Sequence, residues 1–344
     1  MTSHRTPALL LVLPVLLAGG ACAGIASAQM GFEFTNSGQA LGDSDSMSVA
    51  LGDLDGDGDL DAMVANAGFR GAPNTVWMTD GTGTFTDSGQ ALGQGSSYAV
   101  ALGDLDGDGD LDAFVTNTGQ QNTVWINDGT GLFTDSGQRI GNKPAGKGYS
   151  WGVALGDLDG DGDLDAMVVD SNAVEAMCGN TVWTNDGKGV FTDSGQQLGT
   201  SCSASVALGD LDGDGDLDAM VANRFSPDRI WMNDGTGTFT NSGQAIGKGN
   251  STSVALGDLD GDGDLDAMVA NGIASDPNTV WINDGTGILT NSGQTLGNSR
   301  GRGVALGDFD GDGDLDAMAA NYGQPDTVWT NDGTGTFTNS GQAL

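Results

Sequence analysis

The chain has 344 residues with 47 Asp plus Glu against 11 Lys plus Arg, a formal net charge of −36, and 60 glycines against 7 prolines. So much glycine points to short elements joined by many tight turns and argues against a helical protein, while the lack of a basic footprint excludes a nucleic-acid partner. The 38% of hydrophobic residues, among them 7 Trp and 11 Phe, are enough to build a core, so the acidity does not signal disorder.

In chain order, the first feature is a targeting signal over residues 1–28. His4 and Arg5 form a polar start, Ala8 to Leu17 is apolar, and Ala26-Ser27-Ala28 gives a small-x-small site for cleavage after Ala28. The expected location is secreted, periplasmic or cell-surface. The apolar run, interrupted by Pro14 and Gly19-Gly20, is too short to span a membrane. Cys22 leaves lipoprotein anchoring as an alternative. Cleavage also removes His4, the only histidine, so residues 29–344 have no imidazole for acid–base catalysis, a Ser-His-Asp relay or zinc.

Residues 29–344 read as one domain of repeats. DLDGDGDLD begins at Asp53, Asp104, Asp157, Asp210 and Asp258, and DFDGDGDLD at Asp308, at intervals of 51, 53, 53, 48 and 50 residues. A second marker, VW or IW, ends at Trp77, Trp125, Trp183, Trp231, Trp281 and Trp329. A third, FTxSGQ, starts at Phe85, Phe133, Phe191, Phe239 and Phe337, with Leu289 in the fifth unit. The units span about 43–93, 94–141, 142–199, 200–247, 248–297 and 298–344, after an extra N-terminal strand over 31–42.

Each unit predicts four short strands. In the first these are Ser48 to Leu51, Ala62 to Asn66, Thr75 to Thr79 and Thr84 to Ser88, with the Asp loop closing the first hairpin and DGTG the last. The second strand is continuously apolar and the fourth is polar, which fits blades sandwiched between neighbours with an outer edge strand. The expected fold is all-β, a β-propeller of four-stranded antiparallel blades, six in number with seven as the alternative. The extra copy, Phe34 to Gly42, makes seven fourth strands against six of everything else. It either competes for the last blade, forms a spare edge, or marks a longer array.

Aspartates at positions 1, 3, 5, 7 and 9 of each loop would repel one another unless a cation lay between them. Oxygen ligands at alternate positions, with Gly at position 6 for the sharp turn, suit a hard ion as in an EF-hand. The candidates are Asp53, Asp55, Asp57, Asp59 and Asp61 in the first loop and Asp104, Asp106, Asp108, Asp110 and Asp112 in the second. The third has Asp157, Asp159, Asp161, Asp163 and Asp165, and the fourth Asp210, Asp212, Asp214, Asp216 and Asp218. The fifth has Asp258, Asp260, Asp262, Asp264 and Asp266, and the sixth Asp308, Asp310, Asp312, Asp314 and Asp316. In the first copy, side chains of Asp53, Asp55, Asp57 and Asp61 and the carbonyl of Asp59 are the expected ligands. Position 12 is Val64 rather than the Glu of an EF-hand, so the loop closes a β-hairpin instead of joining helices.

The stretch VALGDLDGDGDLDAMVAN followed by VWxNDGTGxFT resembles the FG-GAP or VCBS-type repeat of bacterial extracellular proteins and, more distantly, integrin α-chain propellers. The resemblance covers nearly all of residues 29–344 and implies Ca²⁺ in each Asp loop, about six ions in all. LG stands before each loop where FG would be, and the one GAP, Gly71 to Pro73, is isolated, so integrin-type partners are not implied.

Strand alternation puts the Asp loops and DGTG turns on one face and the other connections on the opposite face. From Trp to the following marker is always 8 residues, whereas from the first Asp to Trp the separation runs 24, 21, 26, 21, 23 and 21. From the FT marker to the next Asp it is 19, except 24 after Phe133. The variable face also collects Arg70, Lys143, Lys147, Arg224, Arg229, Lys248, Arg300 and Arg302, together with Phe69, Tyr98, Tyr149, Trp151, Phe225 and Tyr322. Aromatic rings beside cationic donors suit sugars, acidic glycans or protein partners, and Arg70, Tyr98, Tyr149, Trp151, Arg224, Phe225 and Tyr322 are the ligand-binding candidates. Cys178 and Cys202, both in variable-face loops, are a candidate disulfide.

The function these features imply is carbohydrate or protein binding of an adhesion type, without catalysis. The alternatives are a structural surface or matrix module and a propeller-scaffold polysaccharide lyase or dehydratase with Lys147 or Tyr149 as base.

Overall fold

The computed structural model describes residues 11–12, 32–67, 72–141, 149–171, 179–297 and 300–344. The proposed cleavage site, Cys22, Phe69, Arg70, Lys143, Lys147 and Cys178 lie outside these residues.

Among the described residues the chain forms six four-stranded antiparallel blades and no helix. The first blade comprises Ser46–Gly52, Asp61–Asn66, Thr75–Met78 and Thr86–Asp87 in spatial order. The inner strand starts earlier than the sequence pattern suggests because Ser46 pairs with Asn66 across a bulge between Ser46 and Ser48, a feature repeated in every blade. The outer strand is shorter than expected, two residues in this blade, and both are exposed.

Burial follows the predicted gradient. The second strand is buried at every position in the first, third, fourth and fifth blades. Neighbouring blades cover these strands, since one junction cluster unites Leu54, Met63, Ala65, Val76 and Leu92 of the first blade with Val100, Ala113, Val115, Trp125 and Phe133 of the second. Four further clusters repeat this pattern around the ring.

Two hydrogen-bonded clamps fix each blade against the next. Asn127 at the end of a third strand donates Nδ2 to Leu54 O in the preceding Asp loop, at 2.8 Å. Asn185, Asn233, Asn283 and Asn331 do the same to Leu105, Leu158, Leu211 and Leu259. The first blade has Thr79 here, which bonds Leu60 O in its own hairpin. In the second clamp, Gln90 of the FTxSGQ marker donates to Gly131 O and accepts from Phe133 N. These buried bonds satisfy backbone groups that the packing removes from water.

The extra N-terminal segment does not compete for the last blade, whose outer strand is its own Phe337–Ala343. Instead Gln39 grips the first blade, donating to Gly83 O at 2.6 Å and accepting from Phe85 N at 2.8 Å. Leu11 and Val12 pair in parallel with Val49 and Ala50 on the innermost edge of that blade.

At the turn after the second strand, Asn74, Asn122, Asn180 and Asn278 are buried, and Asn74 accepts the Asn66 N–H. The fourth blade has Asp228 there, fully buried, accepting from Asn223 N at 2.7 Å and Ser251 Oγ at 2.8 Å. Burial pushes its carboxyl up to about 7, against the lowering effect of those two bonds. A carboxyl held above its unfolded value contributes stability that is complete below about pH 4 and lost as pH rises through about 7. Asp228→Asn keeps the acceptor and supplies a donor to Ser251, so it should raise stability at pH 8 by about 1 kcal/mol and leave pH 4 nearly unchanged in denaturant titrations. Asn185→Ala, which strips Leu105 O and Leu164 O of their side-chain donor, should cost about 1–3 kcal/mol in the same measurement.

Candidate metal centres and the channel mouth

Each Asp loop is organised by its own backbone. Asp53 at position 1 accepts from Gly56 N through Oδ1 at 2.8 Å and from Gly58 N through Oδ2 at 3.0 Å. Gly58 holds φ +93°, a region open to glycine. The other loops repeat both bonds.

Position 9 closes the loop onto the blade. Asp61, fully buried, accepts from Leu54 N at 3.0 Å and from Thr79 N at 2.7 Å, tying the loop to the third strand. Asp112, Asp165, Asp218, Asp266 and Asp316 make the same two bonds. The sequence names these residues as ligands but does not show this clamp. The signal was their place as first residue of a wholly buried strand. Position 7 turns away: a Cβ on Gly81 of the DGTG turn would meet Asp59 Oδ1 at 2.5 Å.

Side-chain oxygens at positions 1, 3 and 5 lie within 4.8 Å of one another in the triads Asp53–Asp55–Asp57, Asp104–Asp106–Asp108 and Asp258–Asp260–Asp262. The triads Asp157–Asp159–Asp165 and Asp210–Asp212–Asp218 bring in position 9. Oδ1 of Asp106, Asp159 and Asp212 is buried with no hydrogen-bond partner. An orphaned carboxylate oxygen among other carboxylates is costly unless a cation completes it, and an all-oxygen donor set suits a hard divalent ion. These loops could therefore hold metal ions.

The electrostatics agree. Without a cation, burial pushes Asp112, Asp165, Asp218 and Asp266 up to about 6, and the carboxylates at positions 3 and 5 add to the rise against two lowering backbone bonds. Burial, then neighbouring carboxylates, likewise raises Asp106, Asp159, Asp212 and Asp260. In the DGTG turns the opposite holds, since Thr82 and its counterparts donate to Asp80, Asp128, Asp234, Asp284 and Asp332 and lower them.

At the other face, an axial channel of about 400 Å³ is lined by the inner strands of all six blades. Its mouth is set by the residue at the bulge near the start of each inner strand, which is Met47, Tyr98, Trp151, Ala204, Thr252 and Arg302 in turn. The repeat is nearly invariant elsewhere along this strand, so the mouth is where the blades differ. Tyr98 and Trp151 stack at 5.1 Å between ring centroids, and the Arg224 guanidinium lies 4.3 Å over Trp151 and 5.3 Å from the Phe225 ring. Arg302 lies 4.9 Å over Tyr322. Burial, with Arg302 nearby, lowers Arg224 from its ordinary value. Trp151 Nε1 is buried with no hydrogen-bond partner.

A family profile described as FG-GAP-like repeat matches residues 53–115, 104–168, 169–221, 210–269 and 267–319. The chain belongs to the FG-GAP-like repeat family. Among solved structures, this FG-GAP-like propeller is similar to BBS1N, determined in complex with ARL6DN and soaked with mercury. The TM-score is 0.56 at 11% identity over 86% of this chain and 81% of that one. It is also similar to a functionally unknown protein from Desulfotomaculum acetoxidans DSM 771, at TM-score 0.57 and 15% identity over 78% of this chain and 75% of that one. At these identities the likeness is one of fold. No curated protein matches the chain.

The structure thus gathers Tyr98, Trp151, Arg224, Phe225 and Tyr322 at one mouth, with Tyr149 exposed at the rim. It adds Arg302, which the sequence places only among the basic residues of that face. Cys202 is disulfide-bonded, while Cys178 lies outside the described residues. Because burial pushes Asp112, Asp165, Asp218 and Asp266 up to about 6 in the metal-free loops, metal binding there at pH 6 should expel protons, and the release should fall towards zero at pH 8. Calorimetry in buffers of different ionisation enthalpy measures this. Equal release at both pH values would contradict the assignment.

Proposed function

We propose that this FG-GAP-like propeller is a secreted, Ca²⁺-stabilised module that binds an acidic carbohydrate at the variable-face mouth of its channel, without catalysing a reaction. The observation that carries the reading is Trp151. Its ring is stacked on Tyr98 and capped by Arg224, and its buried Nε1 has no partner. A uronate or sulfate group suits Arg224 and Arg302, a hydroxyl satisfies the indole N–H, and a sugar ring packs on the exposed rings of Phe225 and Tyr322. The apolar segment 8–17 and Ala26-Ser27-Ala28 support export, and the absence of histidine from 29–344 supports binding over turnover.

Trp151→Ala should abolish binding to acidic oligosaccharides on a glycan array while leaving the melting temperature within a few degrees of the parent. A chain whose array signals survive that change binds elsewhere, and one giving no glycan signal at all favours a protein ligand or a structural module. Turnover of a glycan that Tyr149→Phe abolishes would instead make it an enzyme.

Calcium supports the fold in this reading. At a free concentration about 100-fold above the dissociation constant, each site adds roughly 2.7 kcal/mol. Chelation with EDTA should therefore lower the melting temperature markedly, and an unchanged value would overturn the calcium assignment.

A further inference from the structure

A second cleft, of about 330 Å³, lies between the first two blades, and Asn74, Gln94, Gln120, Trp125, Asp135 and Arg139 are among its walls. It is separate from the channel, since Ser97 lines the cleft while Tyr98, the next residue, lines the channel. Departures from the nearly invariant repeat converge on it. Gln121 stands where four other blades have Pro73, Pro227, Pro277 and Pro325. Its carbonyl keeps the role of theirs, accepting from Asn117 Nδ2 at 3.0 Å, but its added amide donates to Gly141 O at 2.8 Å and anchors the end of the outer strand. Arg139 stands where Ala91, Gln197, Ala245, Thr295 and Ala343 do. Gly95 is buried where the first and fourth blades have Ser44 and Ser201, and a Cβ there would meet Asn117 Oδ1 at 2.9 Å and Gln120 Nε2 at 3.1 Å, so the missing side chain keeps the cleft open.

The polar groups of the cleft are not used up by the fold. Asn74 is only 3% exposed and its Oδ1 accepts the Asn66 N–H, but its Nδ2 makes no hydrogen bond among the described residues. The counterpart Asn122 donates Nδ2 to Ser150 Oγ at 3.2 Å, whereas the matching Ser97 is turned to Asn117 Oδ1 at 2.8 Å. The exposed carboxamides of Gln94 and Gln120 likewise have no partner among the described residues. Arg139 and Asp135 form a two-bond pair, Nη1 to Oδ1 at 2.9 Å and Nη2 to Oδ2 at 2.7 Å, so together they bring no net charge. The backbone flanking the cleft is already paired, Asn74 with Leu92 and Asn122 with Ile140 in both directions.

We propose that this cleft is a second binding site, distinct from the channel mouth, and that it takes a neutral saccharide. A buried N–H without a partner is costly, and a ligand hydroxyl supplies the acceptor that Asn74 lacks. Each free carboxamide offers an acceptor oxygen and two donor hydrogens, which suits neighbouring hydroxyls that both donate and accept. Trp125 gives the site an apolar wall, and a few placed polar groups on such a wall are what a small-ligand cleft of this size requires. An acidic sugar finds no unpaired cation here, in contrast to the mouth with Arg224 and Arg302. An extended peptide finds no open strand edge to join.

The test compares the full chain with a Gln94→Ala/Gln120→Ala double variant on an array of neutral and acidic oligosaccharides. Both side chains are exposed and bond to nothing in the fold, so the variant should keep the parent's melting temperature. The parent should bind neutral glycans, and the double variant should bind them about tenfold more weakly or worse, as expected for two lost hydrogen-bonding groups. Trp151→Ala should leave the neutral signals intact, which separates this site from the mouth. With the strongest neutral glycan present, hydrogen exchange should slow at residues 93–97 and 118–121 and stay unchanged at 151–153. An array without neutral signals overturns the proposal, as do neutral signals that the double variant retains. Binding to a peptide library that only the double variant abolishes also overturns it, because the cleft then takes a protein.

Discussion

The rest of the structure depends on a carboxylate with no freedom left, the aspartate ending each loop. Asp61 and its five counterparts are buried at the head of the second strand, with each oxygen accepting a backbone N–H, one from the loop and one from the third strand. Burying such a group is unfavourable unless its bonds are complete, so the loop, hairpin and third strand form together or not at all. The carbonyl of the loop's leucine is thereby aimed at the next blade, where an asparagine receives it. Local loop chemistry and ring assembly are one network.

That network explains the division of labour between the two faces. On the loop face each blade leans on its neighbour through the DGTG turn and the asparagine bond, and no insertion can be accommodated without breaking several hydrogen bonds. The opposite connections carry neither of these two clamps, so length and side chain vary there without disturbing them. The variable residues nevertheless converge, because the inner strands bring Tyr98, Trp151 and Arg302 to a common axis.

Most of the fold was legible in the sequence because the repeat marks the same points six times. The second strand's continuous apolar run, the outer strand's polarity and the Asp loop between the first and second strands all read correctly from the first blade alone. Three things were not legible. The strand ends shift because the inner bulge depends on the pairing of Ser46 with Asn66. The meaning of the surplus strand depends on Gln342 and Gln39, whose partners lie 308–310 and 44–46 residues away. Arg302 was hidden because only the assembled blades bring it near Arg224, from a blade two positions away.

The loops also give the molecule a direction. Thirty of its 47 acidic residues are gathered on one face in the six loops, while Arg224, Arg229, Arg300 and Arg302 lie towards the other. Charge separated along the axis of a disc makes a permanent dipole. Ions filling the loops would shrink this dipole but not reverse it, since six divalent ions take the formal charge only from −36 to −36 + 12 = −24. Near an anionic surface the disc turns before it touches, presenting the channel mouth and keeping the loop face towards bulk water. Ionic strength therefore governs how strongly such a surface orients the molecule.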